Sequence, residues 1–135
     1  MPAFSFSDPR FPEAIRTGRK THTIRRREAT GLKIGAWAPL YYKVRQKVPG
    51  GEGFLIGSGL INRSHEIRLD FDLGGIWANG AVWTTGPDLN AFARSDGFDS
   101  WADMEAFWAA NYPGVRQFTG QLMGWSEFTP EKRLG

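Results

Sequence analysis

His65-Glu66-Ile67-Arg68-Leu69-Asp70-Phe71-Asp72 alternates without a break. Successive side chains of a strand point to opposite faces. His65, Ile67, Leu69 and Phe71 therefore share one face, and Glu66, Arg68, Asp70 and Asp72 share the other. This is the pattern of a half-buried strand, and His65 on its apolar face reads as a core histidine. Just downstream, Ile76-Trp77 and Val82-Trp83 bracket Asn79-Gly80. Asn and Gly tolerate the positive φ that a two-residue turn between twisted strands requires, so the segment predicts a hairpin.

Working outward, Phe54 to Ile61 is apolar and dotted with glycine, and Ala36 to Val44 is apolar and aromatic. Both read as strands, with a turn at Pro49-Gly50-Gly51. Pro39 has no N–H for a ladder, which places it at an edge or a bulge. Thr21 to Arg26, with β-branched residues at 21, 23 and 24, reads as extended. Phe118 to Trp125 reads as the last strand and 126–135 as a flexible tail.

Helical signals sit between these strands. Asp8-Pro9 has the form of an N-cap followed by Pro at the first helical position. Phe11, Ala14 and Ile15 then make one stripe, and Gly18 ends a helix over 9–17. Thr85-Gly86-Pro87 opens a second helix with Leu89, Phe92 and Ala93 on one face and Gly97 behind it. Ser100-Trp101-Ala102-Asp103 has the form of a capping box, with Asp in place of Glu. Trp101, Met104, Phe107 and Trp108 follow at helical spacing, and the helix stops near Asn111-Tyr112-Pro113-Gly114. The sum is an α+β domain. Five to six strands make a small barrel or strongly curled sheet, with three short helices at its margins. Helices do not alternate regularly with strands, which argues against a Rossmann-type sheet.

The 135 residues suit one domain, 1–135, and 6 Trp with 10 Phe supply a substantial core. There is no cysteine, which excludes disulfides, Cys-ligated zinc and a Cys nucleophile. No run of about 18 apolar residues exists to span a membrane. Met1 to Arg10 lacks the basic-then-apolar order of a signal peptide, and the chain reads as cytoplasmic. Two histidines are too few for a His-rich metal site. The acidic pairs Asp70/Asp72 and Asp96/Asp99 lack EF-hand spacing, so no metal and no cofactor is expected.

The net charge of +3 is modest, but its placement is not uniform. Arg16, Arg19, Lys20, Arg25, Arg26, Arg27 and Lys33 crowd one segment, broken by a single acid, Glu28. Such a run suits an anionic partner or is a solvated basic face. Within it, Lys20, Thr23 and Arg25 can carry chemistry. A Thr hydroxyl is a nucleophile only when a base takes its proton. A lysine whose pKa is lowered by burial or nearby cations is such a base, and a third group must protonate the leaving amine. In an ideal strand residues 20 and 23 point oppositely, so the pair needs an irregular lead-in. An exposed basic strand with ordinary threonines is the other reading.

Gly18-x-Lys20-x-x-Thr23-x-Arg25, placed after Phe11-x-x-Ala14-Ile15-x-x-Gly18, resembles the signature of the ASCH domain family, which has a PUA-like fold. Gly31-Leu32-Lys33-Ile34-Gly35 is similar to that family's Lys-x-Gly-Asp element, with Ala36 where Asp is usual. Ala93-Arg94-Ser95-Asp96-Gly97-Phe98-Asp99-Ser100-Trp101 also resembles the family. The resemblance covers roughly residues 4–125. It implies a PUA-like β-barrel with a cleft that takes nucleosides or nucleic acids. Its enzymatic branch contains N4-acetylcytidine amidohydrolases that use Thr, Lys and Glu.

By motif position Lys20 and Thr23 match the Lys and the Thr. Asp96, one methylene shorter, stands for the Glu. The resemblance thus implies an amidohydrolase of an acylated nucleoside or similar small amide. Lys20, Thr23 and Asp96 would be catalytic, and Arg25, Arg19 and His22 would hold substrate. The other classes it leaves are a non-catalytic module binding single-stranded RNA and an RNA-cleaving enzyme using the same cleft. The stretch 73–87 is long for the family, and its tryptophans either lid the cleft or pack on the barrel.

Overall fold

The computed structural model describes residues 3–26, 32–48 and 51–131. Its elements in order are β1 (Phe4–Phe6), α1 (Phe11–Arg16), β2 (His22–Arg25), β3 (Trp37–Val48) and β4 (Gly51–Asp70). β5 (Gly75–Ala78), β6 (Ala81–Trp83), α2 (Gly86–Ser95), α3 (Trp101–Asn111) and β7 (Gln117–Pro130) follow. Among the described residues the class is mixed α+β, with one curled half-barrel sheet and three short helices.

β4 is the spine of the sheet. Its first half pairs antiparallel with β3, from Val48↔Gly51 to Trp37↔Leu60. Its last four residues pair with β5, and β7 runs antiparallel along the other side, from Gly57↔Pro130 to Asp70↔Gln117. β1 joins β3 in parallel and β2 joins β7 antiparallel. The register shifts at Leu40/Tyr41, Ser58/Leu60 and Ile61/Arg63, and bulges of this kind bend and twist a sheet. The glycines of the first half of β4 serve the same curl. A Cβ on Gly59 would lie 2.6 Å from the Trp125 ring, so the indole of β7 lies directly on the β4 backbone.

Leu40 of β3, Ile56, Ile61, Ile67 and Leu69 of β4, and Leu122 and Met123 of β7 are all buried in one core cluster. Each such side chain contributes roughly 1.5–3 kcal/mol over its exposed state. The helices close one end through aromatic contacts. Phe71 stacks on Trp101 at 4.9 Å, Trp108 meets Phe118 at 4.7 Å, and Phe11 of α1 meets Phe98 edge-on at 5.4 Å.

Several expectations need correction. The two strands read from 54–61 and 65–72 are one strand, β4, because the bulges absorb the break in alternation. Asp70 is buried rather than outward-facing. It ends β4, and its Oδ1 accepts from Asp72 N at 3.0 Å and Leu73 N at 2.8 Å, which closes the following turn. His65 is only half-buried, and its Nδ1 lies 3.1 Å from Glu66 O. α1 starts at Phe11, not Pro9. Asp8 instead accepts from the backbone N–H of Arg10, and Pro12 occupies the first turn. Residues 126–130, expected to trail off, extend β7 along β4, with Leu60↔Ser126 and Gly57↔Pro130 paired. Arg27, Glu28, Gly31, Pro49, Gly50 and residues 132–135 lie outside the described residues.

The hairpin has the predicted form. Ala78↔Ala81 is its last pair, and Asn79 (φ 51°) and Gly80 (φ 79°) both take positive φ between them. α2 is capped by Thr85, whose Oγ1 accepts from Asp88 N. Among the described residues, no helix is long and apolar enough to cross a membrane.

Candidate functional site

β1 and β2 are both edge strands of the curl, and among the described residues no backbone pairing closes the gap between them. Arg25 bridges it, donating from Nη2 to Ser5 O at 2.9 Å. The cleft lies in this gap. Phe6 and Ser5 of β1 form one wall, and Thr23 and Arg25 of β2 form the other. Lys20 and Asp96 line it as well, and Phe98, Phe107, Trp108 and Tyr112 contribute from the α2–α3 layer. Its interior volume is about 100 Å³, below the roughly 300–1,000 Å³ of sites for drug-sized ligands. It admits one ring-sized group, with the rest of a larger molecule lying outside.

Lys20 precedes β2 and is not part of it, which is the irregular lead-in the sequence called for. Gly18 takes φ 80° after α1, and Lys20 N bonds back to Ala14 O at 2.9 Å. The side chain then runs inward and is 2% exposed. Its Nζ donates to Asp96 Oδ1 at 2.7 Å and to Asp96 O at 2.8 Å. Asp96 is the C-cap of α2, so the ammonium sits on a carbonyl end that carries partial negative charge. The faces of Phe11 and Phe6 lie 4.4 and 5.6 Å from Nζ and add cation–π attraction. Burial pushes the Lys20 pKa down, against the pull of the adjacent Asp96 carboxylate. Gly97 (φ 98°) makes the turn that follows, and a Cβ there would press on Phe11 and on the Lys20 stem at 3.0–3.2 Å.

Thr23 and Arg25 stand two apart on β2 and so share a face. Arg25 Nε donates to Thr23 Oγ1 at 3.0 Å, which leaves the hydroxyl proton available to an acceptor. No hydrogen bond joins Thr23 to Lys20, whose Nζ is engaged by Asp96. Arg25 also lies over the rings of Phe4 and Phe6 at 5.5 and 5.2 Å. Its pKa is pushed down by burial.

Of the six residues singled out from sequence, Lys20, Thr23, Arg25 and Asp96 line the cleft. The other two do not. Arg19 is exposed and donates to Gly97 O at 3.0 Å, which ties the β2 lead-in to the turn after α2. His22 is buried beside Asp96 rather than open to the cleft. Sequence reasoning missed Ser5, Phe6 and Tyr112. Ser5 and Phe6 belong to a three-residue strand too short to show periodicity, and Tyr112 looked like a helix terminus only. The cleft contains nothing from 73–87. Trp83 packs on Phe92 and Arg68 lies over Trp77, so this segment packs on the body and forms no lid in this conformation. No cluster of three or more His, Cys, Asp or Glu fit for a metal ion occurs among the described residues. No family model, curated protein or solved structure matches this chain.

Proposed function

We propose that the chain is an ASCH-type, PUA-like amidohydrolase that cleaves the acyl group from an exocyclic amine of a small nucleoside-like substrate. The observation that supports this most is the meeting of residues 20 and 96. They are far apart in sequence, yet they join at 2.7 Å in a cleft that also holds Thr23 and Arg25. The small interior favours the acylated ring end of one molecule over a length of polymer.

The chemistry follows from the contacts. The Asp96 carboxylate takes a proton from the Lys20 ammonium, leaving a neutral amine that accepts the Thr23 hydroxyl proton. Thr23 Oγ1 attacks the amide carbonyl. Negative charge then develops on the carbonyl oxygen, and the Arg25 guanidinium, whose Nε lies 3.0 Å from Thr23 Oγ1, offsets it. As the C–N bond breaks, the protonated Asp96 gives its proton to the leaving amine. Water then attacks the acyl–Thr23 ester and passes a proton through the same pair. The acid and Thr23 are regenerated.

A second reading, binding of single-stranded RNA, draws on the exposed Arg19 and Arg26 that flank the cleft-lining stretch. One experiment separates them. Incubation with N4-acetylcytidine is expected to release cytidine and acetate. Thr23→Ala should lower the rate by at least about 100-fold without unfolding the chain. Absence of turnover together with salt-sensitive binding to single-stranded RNA overturns the hydrolase reading in favour of the second.

A further inference from the structure

One buried side-chain polar atom among the described residues has no hydrogen-bond partner: Nε2 of His22. Such atoms are rare in folded proteins because burial removes their water. The His22 ring lies against Phe92, with centroids 5.2 Å apart. Nε2 is 3.2 Å from Asp96 Oδ1, the same oxygen that Lys20 Nζ reaches at 2.7 Å. The separation is that of a hydrogen bond, but the N–H direction is not. Aligning it takes a rotation of the ring, and hydrogen bonds at catalytic sites commonly tighten only when substrate arrives. Two nitrogens from one short stretch of chain, residues 20 and 22, therefore converge on one carboxylate oxygen. Asp96 Oδ2 makes no hydrogen bond among the described residues.

We propose that His22 is a positioning residue. With its proton on Nε2 it donates to Asp96 Oδ1 and, together with Lys20, fixes the carboxylate so that Oδ2 is presented to the cleft. The consequence for turnover rests on the hydrolase reading above, whereas the contact does not. Fixing matters more for Asp than for a longer acid, since a shorter arm has less reach to correct a misplaced oxygen. Four charged or titratable groups act on His22. Asp96 favours its protonation, while Lys20, Arg63 and His65 oppose it. Burial dominates and pushes its pKa down to about 4, so at pH 7 the ring carries a single N–H. The tautomer is set by what faces each nitrogen. A lone pair on Nε2, 3.2 Å from a carboxylate oxygen, is repelled by it, so Nε2–H is the preferred form.

Isotope-labelled full-length protein at pH 7 tests this in two ways. Ring-nitrogen NMR of the unaltered chain is expected to show the Nε2–H tautomer. The Asp96 carboxyl carbon signal is expected to move in His22→Phe, which keeps a ring against Phe92 but lacks the nitrogen. It is expected to return toward its original position in His22→Gln, whose amide N–H reaches a similar place. In turnover of N4-acetylcytidine, His22→Phe should lower kcat roughly 10-fold with KM within about twofold, and His22→Gln should recover most of the loss. The Nδ1–H tautomer overturns the proposal, as does an Asp96 signal unmoved by His22→Phe. The tautomer is read on the unaltered chain, so that arm holds even where a variant fails to fold. If the unaltered chain shows no turnover, the hydrolase reading fails, while the spectra still decide the place of His22.

Discussion

At the residue scale, the chain concentrates its burial cost in one place. Lys20, His22, Thr23 and Asp96 are among the few polar side chains in the interior, and burying a charge is expensive unless it is paired. His22 carries part of this cost in a form that acid reveals. Its pKa falls from the ordinary 6.5 to about 4 on folding. Between those values the unfolded chain binds more protons than the folded one, so stability rises with pH across this window and is lost as pH drops through it. The shift corresponds to a loss on the order of 3 kcal/mol between pH 6.5 and 4. Urea denaturation at pH 4.5, 5.5 and 7 should show it, and His22→Phe should flatten that part of the curve. If the shorter acid limits proton delivery, Asp96→Glu should raise kcat on N4-acetylcytidine severalfold. A drop of 10-fold or more would instead show the site to be fitted to Asp. Lys20, Thr23 and Arg25 stood out as one constellation in the basic stretch, whereas Asp96 entered only through the family resemblance; all four line one cleft. Tyr112 and Ser5 were not legible, since ordinary residues at ordinary spacings leave no trace until the fold assembles them.

At the element scale, turn and cap chemistry was the most readable feature. Asn79-Gly80 makes the hairpin it predicts, and Thr85 and Ser100 cap α2 and α3. The capping box at Ser100 is only half made. Ser100 Oγ accepts from Asp103 N at 3.1 Å, but Asp103 turns its carboxylate to Asp99 N and to the Arg10 guanidinium. It thereby fastens α3 to the start of α1, a tertiary use that local pattern does not show. Ser100→Ala should cost about 1 kcal/mol in urea denaturation and leave turnover unchanged. Strand limits were less readable. Alternation around 65–72 marked the face of β4 correctly for Ile67 and Leu69, yet failed at Asp70, where turn closure outweighs facing. The bulges of β4 hid the continuity of a strand running from Gly51 to Asp70. The polar 126–130 stretch gave no strand signal because its partner, and not its own composition, makes it extended.

At the scale of the whole molecule, the curl of the sheet was foreseen in class but not in topology. The parallel β1–β3 pair and the central place of β4 come from contacts between distant segments, which periodicity does not encode. The unclosed seam between β1 and β2 also bears on the order in which the molecule assembles. The β3–β4 and β5–β6 pairings join neighbours in the chain. The β2–β7 ladder begins at His22↔Gly124, across a loop on the order of 100 residues whose closure is entropically slow. β1 reaches β3 across the intervening α1 and β2, with Phe4 opposite Leu40. The walls of the cleft are therefore expected to form after the barrier to folding has been crossed. In stopped-flow kinetics, Phe6→Leu on β1 should leave the folding rate nearly unchanged and speed unfolding, a φ-value near 0. Ile76→Val in the local hairpin should slow folding in proportion to its destabilisation. The opposite ranking would mean that the seam between β1 and β2 nucleates the fold.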